Sequence, residues 1–543
     1  MASLVLGPLL RHVGETDATV WVETDGPATV EVLGTQEETW EVSGHHYALV
    51  CVEGLAAGSE TRYEVRLDGE LVWPAPGSPY PPSSIRTLGD GGPLRVVFGS
   101  CRYARPEAVA DDKHFDADAL DAYGVRMMRS APDQWPDALL LLGDQVYADE
   151  TSEHTKERIR AKRDIKTAPY DQVADFEEYT WLYRESWTDP AVRWMLSTVA
   201  TSMIFDDHDV RDDWNTSGSW RDEVKRTSWW EERIIGGLSS YWVYQHIGNL
   251  SPQALGEDEL YQKVRADGGD CAPMLREFAA AADKEADGQK GARWSYRRDF
   301  GRTRVLVIDS RCGRILAEGE RSMVSEAEFR WIEAQTEGDY DHLLVGTSLP
   351  WLLARALHDI ESWNERLADG SRGARMARIA EKFRRLADLE HWAAFRKSFD
   401  RLGRLFGRIG RGEQGEAPAT ICVLSGDVHH AYASQARYDD PAMTTQVYQL
   451  TCSPVHNYVP LAMKVAFRLA WSRAAEKTTR FLLDRVSHVP RMELDWDRLD
   501  GPFYGNEIAT LLIEGRHATL LIEKASARAQ DPRLEQVCRR RLA

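Results

Sequence analysis

Short runs of purely apolar residues, each closed by small, polar or charged ones, constrain this chain more than any other feature. Val96-Val97-Phe98, Ala138 to Leu142, Met203-Ile204-Phe205, Val305 to Ile308, Leu343-Leu344-Val345 and Ile421 to Leu424 are such runs, and helix-like stretches separate them. Strands buried on both faces read this way, so the runs predict a central α/β sheet. Gln446 to Leu450, Ile508 to Ile513 and Ala518 to Ile522 read as further strands. The residues that close the early runs are Gly99-Ser100-Cys101, Gly143-Asp144, Asp206-Asp207-His208, Asp309-Ser310-Arg311, Thr347-Ser348 and Ser425-Gly426-Asp427-Val428-His429. Open α/β sheets gather ligands at the carboxyl ends of their strands, so these tails are expected to converge on one site.

Ahead of this region lies a different pattern. Ala18 to Glu23, Ala28 to Val32, Tyr47 to Val52 and Arg62 to Leu67 are short alternating runs, and Asp68-Gly69 is a hairpin signal, which together predict a β-sandwich. Leu55 to Tyr63 resembles the tyrosine-corner approach of fibronectin type III domains. Prolines 74, 76, 79, 81 and 82 predict a stiff linker at the end of this first unit. The expected division of the 543 residues is a small all-β domain over 1–88 with the linker at its end, a catalytic α/β domain over 93–525 with helical insertions, and a charged tail over 526–543. The insertions at 150–200 and 220–300 carry aromatics such as Trp229, Trp230 and Tyr241, which read as core.

Segment 372–411 has apolar residues near helical spacing and twelve Arg and Lys against four acids, so it reads as a basic amphipathic helix. Its charge either pairs with acidic neighbours or recruits a polyanionic substrate. The chain as a whole is acidic, at -19, which argues against binding along a nucleic-acid backbone. No run of apolar residues reaches the length of a membrane span, since Lys464 and Arg468 interrupt 459–471. The N-terminal residues carry no basic, apolar export pattern, so the cytoplasm is the expected location. Seven cysteines without CxxC spacing do not make a disulfide framework.

Read from the residues alone, Asp144 either caps a helix or serves chemistry, with Tyr147 three residues on. Asp427 and His429, at spacing two, can present an oxygen and an imidazole on one side of an extended backbone. Asp206 to Asp209 packs three carboxylates around His208, which calls for a cation, for strong donors, or for a structural carboxylate network. A thiol, a phenol, carboxylates and imidazoles on different strands fit two adjacent metal ions sharing a carboxylate.

The order Gly-Ser-Cys101, Gly-Asp144-x-x-Tyr147, Asp-Asp207-His208-Asp-Val, Val-Ile-Asp309-Ser-Arg311, Thr-Ser348-x-Pro and Ser-Gly-Asp427-Val-His429 resembles the PhoD-like metallophosphatase family, within the calcineurin-like phosphoesterases. The resemblance covers about residues 94 to 525, and the leading β-domain is similar to one that often precedes this catalytic domain. It implies a metallophosphatase-type two-sheet sandwich flanked by helices, after a fibronectin-III-like domain. It further implies a phosphatase or phosphodiesterase that uses a metal-bound hydroxide at a binuclear site. Cys101 and Tyr147 then look like thiolate and phenolate ligands of a ferric ion, with His429 a third ligand of it. Asp144 looks like the bridge, Asp207 and Asp427 like ligands of a second divalent metal, and His208 like the catalytic residue facing the phosphoryl group. Calcium is the second metal the resemblance implies, while zinc, manganese and magnesium fit the same ligands.

The family usually has Glu where Asp209 stands, which leaves Asp209 and Asp213 as candidates for a rearranged calcium site. Arg311 either pairs with a substrate phosphate oxygen or makes a structural salt bridge. A phosphoester is the expected substrate; the other reading is a phosphatase-like scaffold that binds a phosphorylated ligand or partner without turnover.

Overall fold

The structure, a computed structural model, describes residues 2–89, 91–104, 116–289, 291–486, 492–526 and 532–543. Two sheets form its centre. Strands Ala200–Ile204, Ala138–Leu142 and Leu94–Gly99 run parallel, and Glu507–Glu514, His517–Ala525 and Leu534–Arg541 continue the same sheet antiparallel. In the second sheet Thr303–Val307, His342–Gly346, Thr420–Ser425 and Gln446–Thr451 are parallel neighbours, flanked by Tyr296–Phe300 on one side and by Ala431–Arg437 and Asp495–Phe503 on the other.

The all-apolar runs follow from this layering. Leu344, Cys422 and Leu424 share an apolar cluster with Val96, Leu139 and Leu141 of the first sheet. Their neighbours Leu343, Val345, Ile421 and Val423 point the other way, into a cluster with Phe399, Leu402, Leu405 and Phe406. Alternate residues of one strand thus meet opposite layers, and neither face can be polar. The sheets approach closely: a Cβ on Gly346 would lie 3.1 Å from Leu142 Cδ2.

The first 86 residues form the expected β-rich unit, with sheets of strand order Leu4–Val13, Asp17–Thr24, His45–Glu53, Trp40–Val42 and Thr35–Glu38, Thr29–Val32, Val65–Leu67, Glu70–Trp73. Asp68 and Gly69 take φ of 50° and 86°, the signs a two-residue primed turn needs. Two expectations fail here. Tyr63 makes no local tyrosine corner; its hydroxyl donates to Ser197 O, 2.5 Å away in the α/β region. Nor does the proline-rich stretch, read as a stiff linker, end the unit: strand Ser84–Arg86 beyond it pairs back with Glu60–Arg62, and Pro81 O accepts from Trp194 Nε1 at 2.8 Å.

The unit is fastened to the rest by charge as well as by packing. Buried Arg11 donates to Thr201 O, Tyr244 O and Gln245 O. His45 lies between Glu23 and Glu177, at 3.0 and 2.7 Å. Burial opposes its charge, but the two carboxylates outweigh it and raise its pKa from 6.5 to about 9. The group titrates higher when folded, so its contribution is fully present below pH 6.5 and fades as pH rises through about 9. His45→Ala is therefore expected to cost about 1–2 kcal/mol in urea melts at pH 6, discounted for the exposure of Glu177, and almost nothing above pH 9.

Two further expectations are corrected. The C-terminal residues, read as a charged tail, place Leu534–Arg541 as the edge strand beside His517–Ala525, with Arg540 paired to Asp500; its arginines hid the strand signal. The basic segment 372–411 is two helices, Ala374–Leu386 and Arg396–Gly410, and the turn between them carries Glu390 and His391 inward. All seven cysteines are free thiols. Among the described residues no helix is long and apolar enough to cross a membrane.

Candidate metal centre

Cys101, Asp144, Asp206, Asp207, Asp309, Ser348 and Asp427 each follow a parallel strand by two or three residues, so the two sheets bring them to one end of the sandwich. Cys101, Asp144, Asp427 and His429 have φ of 57°, 50°, 65° and 49°. Side chains in this left-handed region cost about 1–3 kcal/mol each, and such residues gather where a site demands their direction. The loops hold one another in place. Cys101 N donates to Gly143 O at 3.2 Å, Arg102 N to Asp144 O at 3.1 Å, and Asp427 N to Ser100 Oγ at 3.1 Å. Glycine is required at two of the contacts: a Cβ on Gly143 would sit 2.6 Å from Asp206 Cβ, and one on Gly426 would sit 1.6 Å from Ser100 Oγ.

Asp144, Asp206 and Asp207 offer oxygens that all lie within 4.8 Å of one another. Asp144 Oδ1, Asp206 Oδ2 and Asp207 Oδ1 are buried and accept no hydrogen bond among the described residues, with the Arg311 guanidinium 3.3 Å from the last. Burial, then the neighbouring carboxylates, push Asp144 well above the usual range; burial does the same to Asp206 despite Arg311. Cys101 is fully buried, and burial followed by Asp144 and Asp427 raises its thiol. Burial, Asp144 and Cys101 likewise raise the Tyr147 phenol, while Asn457 Nδ2 donates to its oxygen at 3.0 Å. Orphaned carboxylate oxygens beside a thiol and a phenol are costly alone and are relieved by a cation, so this donor set fits a metal.

Arg311 is engaged by acidic side chains. It is wholly buried and paired with Asp206 and Glu390, with Asp207 at 3.3 Å and Asp427 at 3.5 Å. Glu390 also receives Arg314, at 2.9 Å. These contacts suit the salt-bridge reading of Arg311, a cation set among the carboxylates behind the centre. Asp209 is taken up by backbone donors. Its carboxylate accepts from Asp144 N, Val146 N and Asp206 N at 3.0, 3.2 and 2.8 Å, clamping two site loops together. Asp213 donates its N–H to Asp207 Oδ2 at 3.1 Å, and burial with Glu390 and Asp207 raises its carboxyl to about 6.

The imidazoles stand at the more open side. His208 Nδ1 lies 2.9 Å from Asp149 Oδ1, and its ring packs 4.8 Å from that of Tyr147. Burial opposes its charge, but Asp149, then Asp207 and Asp144, raise it well above 6.5. His429 is lowered to about 4 by burial, so it is neutral and able to ligate at neutral pH. His430 is occupied elsewhere, with Nδ1 donating to Val428 O at 2.6 Å and Nε2 accepting from Trp471 Nε1 at 3.0 Å. Asp427 feels burial, but His391 at 3.2 Å and Arg311 hold its carboxyl below the usual range. His391 is in turn held by Glu361 at 2.8 Å.

Sequence reasoning named the inner residues and missed their supports. Asp149 lies two residues beyond Tyr147, and its nearness to the Asp144 motif was the available signal. Glu390, His391, Glu361 and Asn457 come from distant segments that no local spacing connects.

The sequence profile of the family described as PhoD-like phosphatase matches residues 113–489, and that of a domain of unknown function, DUF7800, matches residues 1–85. Cys101 lies between the two matches. Among solved structures, one titled as the structure of PhoD is 12% identical and aligns over 99% of this chain and 92% of its own, with a TM-score of 0.55. The purple acid phosphatase PPD1 from yellow lupin (Lupinus luteus) seeds is also 12% identical, over 97% of this chain and 73% of its own, with a TM-score of 0.47. The likeness to the former is one of fold. No curated protein matches the chain.

Proposed function

This chain belongs to the PhoD-like phosphatase family and is a metal-dependent phosphoesterase, and from that premise we propose that it hydrolyses phosphoesters at a binuclear centre built on Asp144. The observation that carries the proposal is the trio of buried oxygens on Asp144, Asp206 and Asp207 that accept no hydrogen bond among the described residues. Cys101, Tyr147 and His429 would hold one ion, proposed as ferric iron because a thiolate and a phenolate suit a trivalent metal. Asp207 and Asp427 would hold the second, proposed as calcium on its oxygen ligands, and Asp144 would be shared. The ions would supply Lewis acidity, making water more nucleophilic at neutral pH and neutralising the charge that builds on the phosphoryl oxygens. The catalytic unit is proposed to run from residue 93 through the last strand, with residues 1–88 as an accessory β-unit.

The chain's own part is positioning and one proton. Cys101 is buried with a raised thiol, which argues against a thiol nucleophile. Asp149 fixes His208 by Nδ1 and favours its charged form, leaving Nε2 to give a proton to the departing alkoxide. Arg311 and Asp209 keep the carboxylates and loops in register from behind.

Hydrolysis of p-nitrophenyl phosphate and bis(p-nitrophenyl) phosphate, before and after metal removal by a chelator, tests the reading. Turnover is expected to vanish on chelation and to return with added metal; turnover unaffected by complete metal removal would overturn it. Asp149→Asn should lower kcat about 10–100-fold with KM nearly unchanged. The loss should be larger for an alkyl phosphate than for a nitrophenyl one, whose leaving group needs no proton. Equal losses on both substrates would remove His208 from the acid role.

A further inference from the structure

The basic segments of this acidic chain divide into two kinds. Along helix Arg396–Gly410 and just beyond it the arginines are satisfied internally: Arg396 pairs with Asp400, Arg401 with Glu326, Arg404 with Glu493, Arg408 with Glu333 and Arg411 with Glu413. On helices Ala374–Leu386, Leu461–Ala470 and Arg473–Val486, by contrast, Arg375, Arg378, Lys382, Lys464, Arg468, Arg473 and Lys477 make no ion pair among the described residues.

Exposed apolar side chains accompany the unpaired cations. On the first helix Met376, Ile379, Phe383 and Leu386 fall at intervals of three and four, so they form one stripe, with Arg375, Arg378 and Lys382 along its side. Leu386 is 86% exposed. On the second helix Leu461, Val465 and Leu469 repeat every four residues, with Leu461 and Leu469 at 74% and 62% exposure, and Lys464 and Arg468 run beside them. Phe481 and Leu482 are exposed on the third. All three helices pack on the same helix, Arg355–Ala368. The inner side of Leu461–Ala470 rests on the site, where the Phe467 ring lies 4.6 Å from that of His430, next to His429.

We propose that these helices form an interfacial surface that docks on an anionic lipid bilayer. Stripes of large apolar side chains bordered by unpaired Lys and Arg are the makeup of helices that lie in a membrane interface: the apolar residues enter the acyl boundary and the cations meet lipid phosphates. Lys464 lies near Glu507 and Arg468 over the Tyr504 ring, but Arg375, Arg378, Lys382, Arg473 and Lys477 stand out on a chain of net charge -19, and an external, negative complement suits them. An acidic protein would meet the cations but would leave the outward Leu461, Leu469 and Leu386 unaccounted for. Docking through Leu461–Ala470 would bring the bilayer to the helix that borders the metal centre.

Co-sedimentation of the full chain with vesicles tests this. The protein should bind phosphatidylcholine vesicles containing phosphatidylglycerol, release them as salt rises, and leave pure phosphatidylcholine vesicles largely free. Arg375→Gln with Lys382→Gln should weaken binding more than about tenfold, since each basic residue near the surface adds to the attraction. Leu461→Ser with Leu469→Ser should weaken it independently, and both double variants should keep the wild-type rate on a soluble nitrophenyl phosphoester. No binding to the anionic vesicles, or binding that both double variants preserve, would overturn the proposal. So would a dimer in light scattering that Leu461→Ser with Leu469→Ser dissolves, since a second copy would then be the occupant.

Discussion

Asp144→Asn is expected to remove phosphoester hydrolysis by a factor on the order of 10³ while leaving the metal-free chain at least as stable as the metal-free parent. Asp144 follows a buried strand, takes φ of 50°, and leaves Oδ1 without a hydrogen bond among the described residues. Asn is among the few residues that enter the left-handed region readily, so the loop can keep its shape. Burial and the adjacent Asp206 disfavour the carboxylate, so the metal-free protein loses a repulsion when the charge goes. What the variant gives up is the shared ligand, and with it metal retention. Activity and stability should therefore move apart, as they do where a site is built against the fold's own preference. Steady-state kinetics of the metal-loaded proteins with thermal melts of the metal-free ones checks this; an Asp144→Asn protein with full turnover would remove Asp144 from the centre.

Arg311→Met should act in the opposite sense. Arg311 is paired with Asp206 and Glu390 and lies within 3.5 Å of Asp207 and Asp427, all at the back of the site. Arg314 still meets Glu390 and His391 still meets Asp427, but removing the cation at the centre of these acids leaves part of their buried charge uncompensated, a loss of about 3–5 kcal/mol. The melting temperature should fall sharply. Divalent metal should recover more of it in the variant than in the parent, because bound metal stabilises by mass action and replaces part of the missing charge. If the variant melts like the parent and only KM rises, Arg311 contacts substrate and the structural assignment fails.

Much of the fold was legible because double-sided burial leaves a plain mark. Strands such as Leu343-Leu344-Val345 carry no polar residue, since alternate side chains enter opposite apolar layers. The site tails were legible for the same reason, as Cys101, Asp144, Asp207 and Asp427 stand where those runs stop. Tertiary detail was not. The tyrosine-corner pattern at Tyr63 fits either a local turn or the Ser197 contact actually made, and sequence spacing cannot choose between them. The C-terminal strand was hidden because its arginines look like a tail until Asp500 is brought opposite. His391 and Glu390 lie in a break within a segment that reads as continuous helix, so their approach to Asp427 and Arg311 depends on where that helix ends.

Metal content of freshly purified protein, measured by elemental analysis together with a visible spectrum, tests the central claim most directly. Iron with a thiolate or phenolate charge-transfer band, and a second metal at similar stoichiometry, is the predicted result, with the band lost in Cys101→Ala and Tyr147→Phe. Folded protein that contains no metal and takes up none on reconstitution would contradict it.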